Sequence, residues 1–261
     1  MQNEQDQPRQ RFLALDTATH MLASALMDGE KVAAEINTSA ERNQSVHVVP
    51  VLQRLLSDQG LSRSDIHGLA VGVGPGSYTG IRIAVTAAKT LAWAWKVPVV
   101  GVSSLQAIAW GAQTKHEDSR GNEAESARVW IVPMMDARRG QAYTSLFAAG
   151  RNGEKPSRLE DDGIRLMSDW LSQLHARVCE AGPADQPAAI WLVGEPGTYG
   201  SMAEEMNFPI PVAAVPYELE GRWIGKLGAE RLLRGESDEY HELIPNYTQL
   251  SEAEANLLRK R

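Results

Sequence analysis

Cysteine occurs once in the 261 residues, at Cys179. That excludes internal disulfides and cysteine-rich zinc sites, and it predicts a reducing compartment. Cys179 closes a helix-like segment beside Glu180, a poor setting for a catalytic thiol. Long apolar runs are also missing. No stretch approaches the ~20 residues that a membrane-crossing helix needs. The first eleven residues are polar and contain no apolar run, so neither a signal peptide nor an anchor is expected there. A disordered tail over residues 1–11 and a cytoplasmic protein are the corresponding expectations. Excess positive charge is absent too. A net charge of -7 argues against a free-standing nucleic-acid binder, leaving Arg259-Lys260-Arg261 as a local basic candidate. With 43% hydrophobic residues, the chain can bury a core as one large domain or two small ones.

The most informative stretch is 69–95, LAVGVGPGSYTGIRIAVTAAKTLAWAW. It predicts a buried strand, a turn through Gly74-Pro75-Gly76-Ser77, and a long helix. Glycines allow positive φ and close approach to the backbone. Ser77 or Thr79 can cap the helix, whose first N–H groups would face an anion in the turn. Three familiar signatures are nevertheless missing. No lysine follows Gly76 or Gly80, as a P-loop requires. Ser77 stands where the third glycine of a dinucleotide fingerprint belongs. Ser77 also follows Gly76 directly, which breaks the nucleophile elbow. A ligand-free strand-to-helix connection explains the spacing equally well.

Strands are expected over 12–15, 21–27 and 31–37, with a hairpin turn at Asp28-Gly29. A helix over 44–57 carries Pro50, which would kink it or mark its first turn. With strands at 66–73 and 97–102, the first ~105 residues read βββαβαβ, an α/β layer with a mixed sheet. A helix follows from Ser103-Ser104 to Ala112. Residues 114–127 are charged and apolar-poor, predicting a loop in which His116, Glu117 and Asp118 are not held rigidly. Strands over 128–135 and 141–147 flank a turn at Asp136-Ala137-Arg138-Arg139-Gly140. A loop is predicted over 151–163, and a helix over 168–179 with Trp170, Leu171, Leu174 and Val178 inward. A strand over 188–193 ends in a second glycine turn, Gly194-Glu195-Pro196-Gly197, before a helix from Tyr199. A strand over 212–215 and a helix over 218–234 close the pattern. The halves repeat one order, which predicts a duplicated fold with a cleft and a reduced second copy.

Two helices carry more apolar surface than one sheet can cover. On the 78–95 helix, positions such as Ile83, Val85, Ala88 and Leu91 span roughly 200° at 100° per residue. A helix on a single sheet needs a stripe of only ~100°. On the 44–57 helix, Val48, Val49, Val51, Leu52, Leu55 and Leu56 span roughly 160°. A second apolar neighbour is predicted for both, either within the chain or on another protein. His47 has Val51 four residues on, so the helix offers no paired metal ligand. Asp16, Thr17 and Thr19 after the first strand could hold a phosphate or metal together with Gly74, Gly76 and Ser77, although Asp and Thr also end strands routinely.

Gly74-Pro75-Gly76-Ser77-Tyr78-Thr79-Gly80-Ile81-Arg82-Ile83 resembles the GPGSFTGLRIG signature of the TsaB (YeaZ) family. Leu15-Asp16-Thr17-Ala18-Thr19, Arg42-Asn43, Ser45 and Pro50 fit in order, as do Ser103-Ser104-Leu105 and Asp136-Ala137-Arg138-Arg139-Gly140. Pro245-Asn246-Tyr247 and Glu252-Ala253-Glu254 complete a resemblance covering roughly residues 11 to 255. It implies an actin/Hsp70/sugar-kinase-like (ASKHA) α/β fold of two related subdomains. Its expected boundaries are 12–105, joined by a helix near 217–235, then 106–216, then an extension over 236–261. It implies a subunit of the machinery that makes N6-threonylcarbamoyladenosine at position 37 of tRNAs reading codons that begin with A. The implied partners are the catalytic paralogue TsaD and the ATPase TsaE, with tRNA reached through the complex and a homodimer when the chain is alone. No cofactor of its own is implied; ATP or ADP would belong to the joint interface. Family members often carry histidine and glutamate where Gln44 and Val46 stand, and the paralogue's HxxxH metal pair is absent.

A non-catalytic scaffold is therefore the leading expectation. Its partner interface is expected to include Val48, Val51, Leu52, Leu55, Arg82, Val85 and Lys89, with Arg82 serving the partner, a nucleotide at the joint interface, or an internal salt bridge. The alternatives are an ATP-using enzyme built on Asp16 and the glycine turn, or a glycoprotease-type peptidase. The second of these lacks any visible activated nucleophile or metal-bound water.

Overall fold

The computed structural model describes residues 10–39, 44–120, 128–151, 153–182 and 185–248. The chain divides into two compact units. The first holds the chain through Val73, Ser77–Ser104 and Glu220–Pro245. Its strands are β1 (Arg11–Asp16), β2 (Met21–Asp28), β3 (Lys31–Ser39), β4 (Gly68–Gly72) and β5 (Val99–Val102). Its helices are α1 (Gln44–Asp58) and α2 (Tyr78–Trp95). The sheet order is β3-β2-β1-β4-β5, antiparallel through the β1–β2–β3 meander and parallel from β1 to β5. Gly29, with φ of 61°, opens the two-residue Gly29-Glu30 turn, one residue beyond the predicted position.

Side-chain alternation explains how this sheet is covered. Leu13, Leu15, Leu69 and Val71 join one cluster with the buried faces of α1 and α2. The intervening residues turn to the opposite face, against the late helix α6 (Gly221–Leu233), where Ala14 and Ala70 meet Gly225 and Gly228. Asn37 Oδ1 accepts the Gly221 N–H and Glu35 Oε1 the Arg222 N–H, each at 2.9 Å, so β3 caps α6. Residues 236–245, expected to be part of an extension, belong to this unit. Asp238 bridges to Val99 at the β5 edge, and Tyr240 and Leu243 pack on the core.

The second unit contains α3 (Ser104–Arg120) from Leu105 onward, β6 (Val129–Asp136), β7 (Gln141–Ala148), β8 (Ser157–Leu166), α4 (Met167–Glu180), β9 (Ala189–Gly194), α5 (Gly197–Glu205) and β10 (Val212–Pro216). Its order, β10-β9-β6-β7-β8, repeats the first sheet strand for strand. All five strands are present. The reduction lies in α5, nine residues long where α2 has eighteen. Two sheets of one topology, each with a helix pair after its meander and central strands, constitute the actin/Hsp70/sugar-kinase-like fold.

Three boundaries differ from the sequence reading. Residues 1–9 of the expected tail lie outside the described residues, but Arg11 already belongs to β1 and the Gln10 carbonyl accepts the Gly29 N–H at 2.8 Å. The predicted loop after Ala112 begins as helix, because α3 runs to Arg120. Gln113 is fully buried there and exchanges hydrogen bonds with Gly150 at 3.0 and 3.1 Å. The predicted loop over 151–163 holds the edge strand β8.

Candidate functional site

Two places in the first unit gather the residues singled out by sequence. At the end of β1, Asp16 and Thr17 are fully buried. The Ala18 N–H donates to Asp16 Oδ1 and the Ser104 hydroxyl to Oδ2, both at 2.5 Å. Thr17 Oγ1 donates to the Gly80 carbonyl at 2.6 Å. A Cβ on Gly72 would lie 1.7 Å from Asp16 Oδ2, and one on Gly80 would lie 1.9 Å from the Thr17 carbonyl oxygen. These glycines therefore admit the end of β1 itself. Burial pushes the Asp16 carboxyl up to about 6, against the lowering effect of its two hydrogen bonds.

Thr19 Oγ1 accepts the Met21 N–H at 3.1 Å, and its carbonyl accepts Gln44 Nε2 at 2.8 Å. Gln44 thus ties the first residue of α1 to the β1–β2 turn. Ser77 caps α2, its hydroxyl accepting the Gly80 N–H at 3.3 Å while its own N–H donates to the Ala18 carbonyl at 2.8 Å. Gly74 and Gly76, which belong to the second unit, are buried, and Gly74 has φ of 90°. The expectation that Asp16 and Thr17 face a phosphate or metal is corrected here: both polar groups close a joint between β1, β4, α2 and Ser104.

The second place is the outer side of α1 and α2. Val48, Leu52, Leu55 and Val85 are all at most 3% exposed and lie in the core cluster. Their assignment to an outward interface is corrected. The two helices pack side by side on one sheet face, so each supplies the other's second apolar neighbour, and the segment around Tyr240 and Leu243 adds a third. Val51 is half-buried against the same cluster. Lys89, also half-buried, donates through Nζ to the Leu243 carbonyl at 2.8 Å and the His241 carbonyl at 3.3 Å. It acts as an internal tie between α2 and the segment after α6. Arg82 is exposed; its Nη1 donates to the Tyr78 hydroxyl at 3.1 Å and its guanidinium lies 5.3 Å over the Tyr78 ring.

Between the helices a groove of about 450 Å³ remains open, lined by Val49, Tyr78, Arg82, Ile83 and Ala87 among others. Val49 and Tyr78, which line it, are 47% and 54% exposed and Val46 on α1 is 64% exposed, an apolar rim left uncovered among the described residues. Sequence reasoning put Val49 in the apolar arc of α1 and Ile83 in that of α2, but it gave neither them nor Val46 and Tyr78 to the interface. The burial of Val48 one position from Val49 follows from the crossing of the two helices, which is not a local property.

The other candidates stand apart. His47 is exposed on α1. Cys179 is exposed, with Sγ 3.7 Å from His175 Nδ1 one turn back. His116 lies on α3 with its ring edge-on to Trp191 at 4.4 Å. Among the described residues no three histidine, cysteine, aspartate or glutamate side chains group as a metal site. Among them, too, no helix is long and apolar enough to cross a membrane. Arg42, Asn43, the Glu252-Ala253-Glu254 motif and the basic tail at 259–261 lie outside the described residues.

Comparison with known proteins gives a consistent picture. A family model described as "TsaD: tRNA N6-adenosine threonylcarbamoyltransferase" matches residues 32–155. The "tRNA threonylcarbamoyladenosine biosynthesis protein TsaB" of Bacillus subtilis (strain 168) is 34% identical over 246 residues, covering 94% of this chain and 96% of that protein. The protein of the same name from Escherichia coli (strain K12) is 35% identical over 172 residues, 62% of this chain and 70% of its own. Among solved structures, a Pseudomonas aeruginosa protein described as similar to peptidase YEAZ superimposes with a TM-score of 0.70 at 25% identity. The alignment covers 92% of this chain and 100% of that one.

Proposed function

The chain belongs to the TsaB family, and from that premise we propose that it is a non-catalytic subunit in the biosynthesis of N6-threonylcarbamoyladenosine at position 37 of tRNA. The observation that carries this reading is the identity with a TsaB protein along nearly its whole length. The mechanism we propose is docking. The open groove on α1 and α2 receives apolar helix residues of the catalytic paralogue, while the ATPase and tRNA join through the assembled complex.

Three physical features support that reading. The groove presents Val49 and Tyr78, with exposed Val46 nearby on α1 and half-buried Ile83 in its lining, apolar surface whose burial by a partner is favourable at about 25 cal/mol per Å². Tyr78 and Arg82 form a paired aromatic and guanidinium, the residue types that dominate interface hot spots. The carboxylate best placed by sequence for nucleotide chemistry, Asp16, is sealed and doubly hydrogen-bonded, which supports placing any ATP or ADP at the joint interface of the complex instead of within this chain. Cytoplasmic location, and self-association through the same groove in the paralogue's absence, belong to this proposal.

Reconstitution tests it. Purified paralogue, ATPase, threonylcarbamoyl adenylate and unmodified tRNA should yield modified adenosine at a rate that rises at least tenfold when this chain is added. An unchanged rate would defeat the proposal. Tight binding of ATP and Mg²⁺ by the isolated chain would instead favour an ATP-using enzyme.

A further inference from the structure

The Asp136-Ala137-Arg138-Arg139-Gly140 turn joins β6 to β7, and nothing in the docking scheme uses it. Three successive residues there have left-handed backbones, with φ of 65° at Arg138, 54° at Arg139 and 75° at Gly140. A hairpin that only had to reverse direction would favour Asn-Gly at such positions, and each non-glycine residue held there costs of order 1 kcal/mol. The backbone is held from several sides. The Gln141 N–H donates to the Arg138 carbonyl at 3.0 Å, and the Met167 N–H to the Gly140 carbonyl at 2.9 Å. The Arg138 N–H donates to Asp136 Oδ1 at 3.1 Å, and the Asp136 N–H to Glu195 Oε2 at 2.9 Å. The Tyr199 hydroxyl lies 3.2 Å from Asp136 Oδ1 and 3.1 Å from the Gln141 carbonyl.

Both nearby carboxylates are thus engaged by donors of the hairpin base. The two side chains at the tip are exposed and make no ion pair among the described residues, while Arg128, Arg158 and Arg177 of the same unit each have a carboxylate partner. A held turn therefore displays two adjacent exposed guanidiniums, while the oxygens of the two carboxylates at its base already accept hydrogen bonds from the hairpin and from Tyr199.

We propose that Arg138 and Arg139 form a contact point for the phosphodiester backbone of RNA. Guanidinium forks bind phosphate oxygens bidentately, and a fixed turn loses little freedom on binding. This inference rests on the tRNA-modification reading for its biological setting, but its test needs no partner protein.

The intact isolated chain is titrated with fluorescently labelled, unmodified tRNA at several salt concentrations. The parent should bind at low salt. Arg138→Ala/Arg139→Ala should bind at least tenfold more weakly, with the slope of log K against log salt smaller by about 1.5. Arg138→Lys/Arg139→Lys should keep most of the slope, because charge sets it. Arg63→Ala, which removes an exposed arginine of the first unit that makes no ion pair among the described residues, should bind as the parent does. A parent that fails to bind RNA, a double variant that binds like the parent, or an equal loss from Arg63→Ala would each overturn the proposal. Failure of the modification reading would appear separately, in the reconstituted reaction.

Discussion

Asp16 combines full burial with two donors and a raised pKa, and its environment sets the sign of a pH effect. The unfolded carboxyl titrates near 3.8 and the folded one near 6, so folding favours the protonated form. Stability from this group is therefore greatest below about 3.8 and is lost as pH rises through 6. The difference amounts to about 3 kcal/mol. Asp16→Asn keeps the shape and cannot ionise. Its amide oxygen can accept from Ala18, and its NH2 can donate to the Ser104 hydroxyl. The variant's stability relative to the parent should rise by up to about 3 kcal/mol between pH 4 and pH 7. Urea unfolding of both proteins at each pH measures this, and a flat difference would contradict the assigned environment. Lys89 shows what sequence could not convey at this scale. Its polar edge on α2 was legible, whereas its acceptors are backbone carbonyls more than 150 positions away.

Helix α6 illustrates how an element can depend on residues that look weak locally. Gly221, Gly225 and Gly228 lie along the side that faces the sheet, and the helix sits closely enough for backbone and side chains to fill the missing Cβ positions. A Cβ on Gly228 would come within 2.1 Å of the Ala70 Cβ, and one on Gly225 within 2.4 Å of Met27 Sδ. Glycine-to-alanine in a helix gains about 1 kcal/mol from propensity alone. At Gly228 the overlap should outweigh that gain, giving a net loss of about 1–3 kcal/mol in denaturant unfolding. A stabilised Gly228→Ala would show that α6 is free to move off the sheet. The cap of this helix is equally non-local. Asn37→Ala removes the acceptor for the Gly221 N–H and should cost about 1 kcal/mol, measured by the same unfolding experiment.

Strong 2- and 3.6-residue periodicity made most elements of both sheets readable from the sequence, including α4 with its inward Trp170, Leu171, Leu174 and Val178. Strand β8 was missed because its alternation is inverted. Leu159 and Leu166 are exposed, while Arg158 pairs with Asp162, Glu160 with Arg177, and Arg165 stacks 4.4 Å over the Trp170 ring. Charges held inward on an edge strand discourage pairing with another chain, and they erase the signal that reveals a strand. The far end of α3 was hidden for a related reason, since Gln113 is buried by bonding to a loop instead of by greasy packing.

At the scale of the whole molecule, the sequence showed that α1 and α2 carry surplus apolar surface but not where it goes. Mutual packing of the helices absorbs most of it, part of the remainder lines the groove, and Trp93, 62% exposed on α2, lies outside that lining. Core and rim residues should therefore respond in opposite ways. Leu52→Ala deletes a side chain that is 3% exposed and should destabilise the fold by about 2–5 kcal/mol. Its folded fraction should still capture the paralogue. Val49→Glu alters a side chain that is 47% exposed and should leave the unfolding midpoint nearly unchanged. It should weaken capture at least tenfold, because a carboxylate would be buried without a partner. Thermal unfolding paired with quantitative pull-down separates the two outcomes. Loss of capture by Leu52→Ala at temperatures where it is fully folded, with Val49→Glu binding normally, would move the docking face off the α1–α2 groove. It would also leave the uncovered rim of Val46, Val49 and Tyr78 without a function in assembly.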